Sequence, residues 1–79
     1  MNLIGLHIKL ARTCLGWDQK DLGREAGLSD QTIQRMESSE GPVRGTYDNV
    51  QKVRQTLEKA GVIFIEADSD GGPGVRLRK

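Results

Sequence analysis

Apolar residues recur at intervals of three and four over residues 3–15 and again over residues 46–60, and this spacing predicts two amphipathic helices. In the first helix the apolar positions form two adjacent stripes, Leu3, Leu6, Leu10 and Cys14, and Ile4, Ile8, Ala11 and Leu15. Two stripes make a wide apolar arc, so we expect this helix to be mostly buried. The later helix carries Val50, Val53 and Leu57 between Thr46, a favourable N-cap, and Gly61, which ends it.

The segment 19–38, QKDLGREAGLSDQTIQRMES, has the pattern of two short helices joined by a glycine turn. Its apolar positions are three or four residues apart, as one face of each helix requires: Leu22 and Ala26, then Ile33 and Met36. Gly27 lies where the first helix must stop, and glycine adopts the left-handed C-cap at the lowest cost. Ser29 can cap the second helix, and Gly23 lies where the two helices approach most closely. These features predict a helix-turn-helix.

The C-terminal part changes from helical to alternating patterning. Residues 62–66 are β-branched and aromatic, which predicts a strand, and residues 67–74 form a polar, glycine-rich turn. Residues 75–78 alternate apolar and basic side chains, which predicts a second strand. The chain is therefore expected to be mostly α, with four helices at about residues 3–15, 18–26, 29–38 and 46–60, followed by a short β-hairpin.

The order of these elements resembles that of the XRE family, the phage-repressor or Cro-like group of small bacterial and phage regulators. The phrase Leu-Gly-Trp-Asp-Gln at residues 15–19 is similar to the sequence by which that family approaches its second helix. A basic, glycine-containing loop at 38–45 follows the third helix, as in the family. The resemblance covers roughly residues 3–60 and implies a lambda-repressor-like domain over residues 1–61. Residues 62–79 depart from it, because the family usually ends in one more helix, and are expected to dimerise the protein or to cap its core.

The resemblance implies a sequence-specific transcriptional regulator that binds double-stranded DNA. It implies in particular a repressor that binds a two-fold operator as a homodimer, with helix 3 in the major groove. Such a mechanism is steric and catalyses no reaction, so neither an enzyme nor a cofactor is expected. A different class of function remains open: an antitoxin-like or anti-regulator module that binds a protein and contacts DNA only secondarily.

The outer face of helix 3 carries the side chains expected to read base edges, because a recognition helix enters the major groove N-terminus first. These are Asp30, Gln31, Gln34 and Arg35. Glutamine offers the paired donor and acceptor that adenine requires, arginine the paired donors that guanine requires, and a carboxylate can accept from cytosine. The alternative is a solvated polar face, and Asp30 would stabilise the helix start without touching DNA.

A second set of residues is expected to contact the DNA backbone. By resemblance, Gln19 bonds a phosphate and braces helix 3, while amides at the start of helix 2 face the same phosphate. Arg12 and Glu37 match positions that often form an ion pair between helices 1 and 3, and Arg12 could also reach phosphate. The remaining expected backbone contacts are Thr32, Ser39 and Arg44. The alternative for these residues is an ordinary solvated surface.

Charge alone does not indicate nucleic-acid binding, since the formal net charge is only +1. The placement of the charges does. The basic residues on or near the predicted DNA side are Lys9, Arg12, Lys20, Arg24, Arg35 and Arg44. The acidic residues of the C-terminal half include Glu58, Glu66, Asp68 and Asp70. We therefore expect a polarised surface.

The single cysteine and single histidine limit other chemistry. Cys14 and His7 are too few to supply the three or four protein ligands of a zinc site, so Cys14 is expected to be a small core residue. One cysteine cannot form an internal disulfide, which is consistent with a reducing cytoplasm. The N-terminus lacks a secretory signal, and no apolar run approaches the roughly 20 residues that span a bilayer. A cytoplasmic protein is expected.

A dimer is expected because one recognition helix contacts too few base pairs for specificity. The C-terminal strands present more apolar surface than a lone hairpin can bury, at Val62, Phe64, Val75 and Leu77. Strand edges pair readily across a two-fold axis. The alternative is that the hairpin folds back over helices 1 and 4 within one protomer, and both arrangements can hold together.

Overall fold

The computed structural model of the chain describes residues 5–38 and 45–78. The helices are α1 (Gly5–Cys14), α2 (Gln19–Ala26), α3 (Asp30–Glu37) and α4 (Tyr47–Lys59), and the strands are β1 (Val62–Ile65) and β2 (Gly74–Leu77). This confirms the predicted fold class of four helices followed by a hairpin. The bounds of α2, α3 and α4 differ from the prediction by at most one residue at each end, because the predicted ranges included cap residues. The helix α1 ends one residue earlier than predicted, and residues 3 and 4 lie outside the described residues.

Capping residues build the helix ends, and the sequence predicted Gly27, Ser29 and Thr46 among them. The Asp18 carboxylate accepts the backbone N–H of Asp21, and the Asp21 carboxylate accepts that of Asp18, which forms a reciprocal capping box. The hydroxyls of Ser29 and Thr46 accept the backbone N–H groups three residues on, at the starts of α3 and α4. Gly27 ends α2 in the left-handed conformation, with φ of 74°.

The core lies between the four helices and is closed by the first strand. Its buried side chains are Ile8, Ala11, Leu22, Ile33, Met36, Val53, Leu57 and Val62. Half-buried apolar residues pack around them: Leu15, Trp17, Ala26, Leu28, Val50, Phe64 and Val75. Both helices of the predicted helix-turn-helix therefore bury the faces that their spacing indicated.

The prediction that α1 is mostly buried is wrong. Leu6 is 55% exposed, Leu10 is 42% exposed and Cys14 is also exposed, so Cys14 is not a core residue. The other elements cover α1 only on the sides that carry Gly5, His7, Ile8 and Ala11. A two-stranded hairpin is too narrow to cover the second stripe as well, so an apolar stripe of Leu6, Leu10 and Cys14 faces solvent.

The hairpin folds back on its own protomer. Val62 pairs with Leu77 and Phe64 with Val75 in an antiparallel register, which places these four side chains on one face. β1 packs against α4, and β2 packs against α1. Val62 is 1% exposed, while Leu77 remains 44% exposed. The hairpin thus covers the α1–α4 side of the core, and of the four predicted dimerisation residues Leu77 keeps the most surface.

A glycine is required where α2 approaches the chain that leads into α3. A Cβ on Gly23 would lie 2.6 Å from the backbone oxygen of Leu28, and backbone cannot move aside as a flexible side chain can. Gly23→Ala is therefore expected to lower the free energy of unfolding by about 1–3 kcal/mol, the usual cost of overpacking. Gly72→Ala is the matched control, because nothing lies within 4 Å of that position. Urea denaturation followed by circular dichroism measures both, and equal stabilities would contradict the close approach.

Candidate nucleic-acid interface

The turn between α2 and α3 holds the two helices in one fixed arrangement. The backbone N–H of Leu28 donates to the carbonyl of Gly23 at 2.8 Å, and the Leu28 side chain packs against the core. Ile33 and Met36 anchor the inner face of α3, with 0% and 1% of their surface exposed. The opposite face of α3 is consequently directed away from the protein.

That outer face carries all four residues predicted to contact bases. Asp30, Gln31, Gln34 and Arg35 are all exposed. Gln31, Gln34 and Arg35 line a shallow open hollow together with Ser38, a residue that sequence reasoning missed. The seven-residue spacing from Gln31 to Ser38 is two helical turns and could have indicated it. The face offers amide donors and acceptors, a guanidinium and a hydroxyl within one surface.

The angle of α3 is fixed by an ion pair that crosses from α1. The Arg12 Nε donates to Glu37 Oε2 at 2.6 Å, and its Nη2 donates to Glu37 Oε1 at 2.9 Å. The side chains are 14% and 5% exposed, respectively, so this bidentate pair lies largely out of water. The hydrogen bonds that Arg12 donates to the Glu37 carboxylate raise the pKa of Arg12 above its ordinary value, which keeps the guanidinium charged. The predicted ion pair between the two helices is thereby confirmed.

Gln19 joins this pair from the start of α2. Its Nε2 donates to Glu37 Oε1 at 3.1 Å, so the amide nitrogen braces the end of α3. Arg12 is also committed within the protein, since its Nη1 donates to the carbonyl of Trp17 at 3.1 Å. One carboxylate thus ties together α1, α2 and α3. The sequence named all three members but did not reveal that they form a single network.

The other predicted backbone contacts fall into two groups. Thr32 is half-buried, and its hydroxyl lies 2.9 Å from that of Ser29 at the start of α3. Ser39 and Arg44 lie outside the described residues. The predicted phosphate contacts are therefore represented in the described part by Gln19, Thr32 and Arg12.

The charges and hydrogen bonds near the start of α2 favour the ionised form of Asp21. The backbone N–H of Asp18 lowers the pKa of Asp21, and Arg24, whose Nη2 lies 2.9 Å from Asp21 Oδ1, lowers it further. A carboxyl with a lowered pKa in the folded state adds stability above its unfolded pKa of about 4. That contribution is lost as pH falls through the lower folded value, so the capping box is complete at neutral pH.

Other kinds of site receive no support within residues 5–38 and 45–78. These ranges contain no group of three or more His, Cys, Asp or Glu side chains that could hold a metal ion. No helix in the same ranges is long and apolar enough to cross a membrane.

Comparison with known proteins identifies the same unit. The helix-turn-helix family model matches residues 8–59. An uncharacterized HTH-type transcriptional regulator of Sinorhizobium medicae (strain WSM419) is 37% identical over 70 residues, which are 87% of this chain and 49% of that protein. A second, from Rhizobium meliloti (strain 1021), has the same identity over the same shares of both chains. The chain thus spans about half the length of the curated relatives it matches.

Proposed function

Because this chain belongs to the XRE-type helix-turn-helix family of transcriptional regulators, we propose that it is a sequence-specific repressor that blocks transcription by occupying an operator. The observation that carries the proposal is the outer face of α3, where four polar side chains stand exposed on a helix braced from behind by Arg12 and Glu37. A rigid, polar, solvent-facing helix is what a major groove can accept.

In this proposal, α3 lies in the major groove and reads base edges. Gln31 pairs with an adenine through its amide donor and acceptor, and Arg35 pairs with a guanine through two guanidinium donors. Gln34 and Ser38 line the same hollow and contact neighbouring bases or phosphate. Asp30, at the first position of α3, accepts from a cytosine amino group.

The start of α2 positions the protein on the phosphate backbone. Gln19 is the first residue of α2, where backbone N–H groups lack partners within the helix and can donate to a phosphate. Its side-chain Nε2 donates one hydrogen to Glu37 and has a second hydrogen that can donate to the same phosphate, so the phosphate contact of α2 is coupled directly to the end of α3. Arg12 acts chiefly as a positioning residue in this arrangement, because its donors bond Glu37 and Trp17.

Repression by this mechanism uses two copies of the chain. Two recognition helices read half-sites about one helical turn apart, so the operator has two-fold symmetry. The net charge of only +1 gives one protomer little general attraction to DNA, which increases the need for paired contacts.

Electrophoretic titration of the purified protein against DNA tests the proposal. Duplexes flanking the protein's own gene are compared with scrambled duplexes over a range of salt concentrations. We expect specific binding with a Kd of about 10⁻⁸ M or tighter, and affinity that falls steeply as salt rises. Weak, sequence-blind binding, together with a protein that co-purifies stoichiometrically, would instead support the interaction-module alternative.

Substitution of Gln19 tests whether this residue positions the protein on the DNA backbone or takes part in reading the bases. Gln19→Ala is expected to weaken binding to cognate and scrambled duplexes alike, by about 0.5–1.5 kcal/mol, the usual contribution of one hydrogen bond. Gln55→Ala is the matched control, since Gln55 is exposed on α4, outside the helix-turn-helix. The same titrations measure both variants. A loss confined to the cognate duplex would overturn the phosphate role of Gln19.

A further inference from the structure

The outer edge of β2 has backbone groups available for pairing. The N–H of Arg78 donates to the carbonyl of Gly61 at 2.6 Å, which extends the hairpin register by one pair. Hydrogen-bonded and non-hydrogen-bonded pairs alternate along an antiparallel ladder. Arg76 and Gly74 therefore direct their backbone groups toward β1, while Val75 and Leu77 direct theirs to the open side. Such an edge pairs readily with another strand.

An apolar surface runs along this same edge. Gly5 and Arg12 mark the side of α1 that meets α3, since a Cβ on Gly5 would touch the backbone of Met36 and Arg12 bonds Glu37. With a turn of about 100° per residue, the buried His7 lies nearly opposite that side. Because α3 covers the Gly5 side and β2 also packs against α1, we place β2 over the His7 side. The exposed stripe of Leu6, Leu10 and Cys14 continues round the helix beyond His7. It therefore borders the open edge of β2, beside the exposed Leu77.

We propose that a second copy of this chain occupies the ledge formed by the β2 edge and the α1 stripe, with the two β2 strands paired antiparallel about a two-fold axis at Val75. This inference rests on the proposed dimeric repressor and specifies how its two protomers join. Neighbouring strands lie about 4.8 Å apart and packed helices about 8–10 Å apart, so the two strands of one hairpin span about the width of one helix. The hairpins of the two protomers can therefore pair while the two α1 helices pack side by side. The two α1 stripes then meet beneath a continuous four-stranded sheet.

The charges favour this register over those centred nearer the C-terminal end of β2. A two-fold axis at residue 76 would place Arg76 opposite its own copy, and an axis at residue 77 would place Arg76 opposite the second copy's Arg78. Like charges directly opposite each other destabilise a strand pair. With the axis at Val75, Arg76 is opposite Gly74 of the second copy. The basic end of β2 then runs beside the second copy's acidic turn, residues 66–70, which contains Glu66, Asp68 and Asp70.

The same arrangement covers two of the apolar features that are exposed among the described residues, the α1 stripe and Leu77. Leu10 and Leu77 are 42% and 44% exposed, although Leu77 lies on the inward face of the hairpin. Burial of both in each protomer removes apolar surface from water, which stabilises the contact. A second copy is favoured over an unrelated partner because the hairpin carries both a basic strand end and an acidic turn. Antiparallel pairing of two copies places the basic end of each beside the acidic turn of the other.

Cysteine cross-linking at single positions tests the register, in a Cys14→Ser background. Val75→Cys is expected to form an intermolecular disulfide rapidly under mild oxidation, because paired Cα atoms at the axis lie about 5.5 Å apart. Leu77→Cys is the matched control on the same face, and it is more exposed than Val75. We expect its cross-linking to be at least about tenfold slower, because the two copies of residue 77 lie beyond the roughly 7 Å limit for a disulfide. Equal or faster cross-linking at residue 77 would overturn the register.

Sedimentation of the variant Leu10→Glu tests the α1 stripe. The unmodified chain is expected to sediment as a dimer at micromolar concentration, and Leu10→Glu is expected to raise the dimer dissociation constant at least about tenfold, since it places a charge in an apolar contact. Tyr47→Glu is the control, because Tyr47 is 76% exposed and lies outside the ledge. Circular dichroism verifies that each variant is folded. A monomer at all concentrations, or equal effects of the two variants, would contradict the proposal.

These results distinguish failure of this interface from failure of the proposed function. A monomer that still binds a cognate duplex specifically would overturn the β2 pairing alone. A dimer with the expected cross-link and no sequence-specific DNA binding would overturn the repressor and leave the interface intact.

Discussion

A Glu37→Ala variant is expected to lose about 3–5 kcal/mol of its free energy of unfolding, the usual cost of removing one partner from a buried ion pair. Glu37 is 5% exposed and accepts hydrogen bonds from both Arg12 and Gln19. Its removal leaves a guanidinium that is 14% exposed without its carboxylate. Because a chain of 79 residues has a small core, this loss is a large fraction of the stability expected for a domain of this size. Urea denaturation followed by circular dichroism measures it.

Two further variants show whether the effect belongs to the buried pair. Glu25→Ala removes an exposed carboxylate 3.9 Å from Arg24 and is expected to change stability by less than about 1 kcal/mol. The double variant Arg12→Leu, Glu37→Leu removes both charges and is expected to recover much of the stability lost in Glu37→Ala, because no uncompensated charge remains. A double variant as unstable as the single one would contradict the assignment of the loss to an unpaired Arg12.

Simultaneous replacement of Gln31 and Arg35 by alanine is expected to remove most of the preference for the cognate operator. Each bidentate base contact contributes about 1–3 kcal/mol of discrimination. Gln31 and Arg35 are four residues apart on the exposed face of α3, so both reach the same groove. Binding to a scrambled duplex should change far less, because most of that affinity comes from phosphate contacts. Competitive electrophoretic titration gives the ratio of the two affinities.

The control for this experiment is Lys59→Ala, which removes an exposed positive charge at the end of α4. It is expected to leave the ratio of cognate to scrambled affinity unchanged. If the Gln31 and Arg35 variant lost equal affinity for both duplexes, these side chains would serve only as general contacts. The base-reading role of α3 would then be wrong.

The helix-turn-helix could be predicted from the sequence because its determinants are local. Gly27 had to end α2, and Ser29 had to begin α3, whatever the rest of the chain does. The apolar spacing also fixed which face of each helix is buried, and this left the four polar residues of α3 outside. Local signals of this kind therefore predict both the fold of the helix-turn-helix and the exposure of the outer face of α3.

The environment of α1 could not be predicted because it depends on distant parts of the chain. Periodicity showed two apolar stripes on α1. Whether the second stripe is buried depends on how much of α1 the C-terminal hairpin covers, and periodicity does not reveal this. That hairpin packs against α1 through β2 but leaves Leu6 and Leu10 exposed. Similarly, the bond from Gln19 to Glu37 joins residues 18 positions apart, and no periodic pattern indicates such a contact.

Selection of bound duplexes from a random DNA library is the most direct test of the central claim that α3 reads a specific sequence. The purified chain is predicted to enrich a two-fold motif whose half-sites are about one helical turn apart. The Gln31 and Arg35 double variant should fail to enrich that motif under the same conditions. A library in which the unmodified chain enriches no motif, while it retains salt-dependent binding to all duplexes, would contradict the claim.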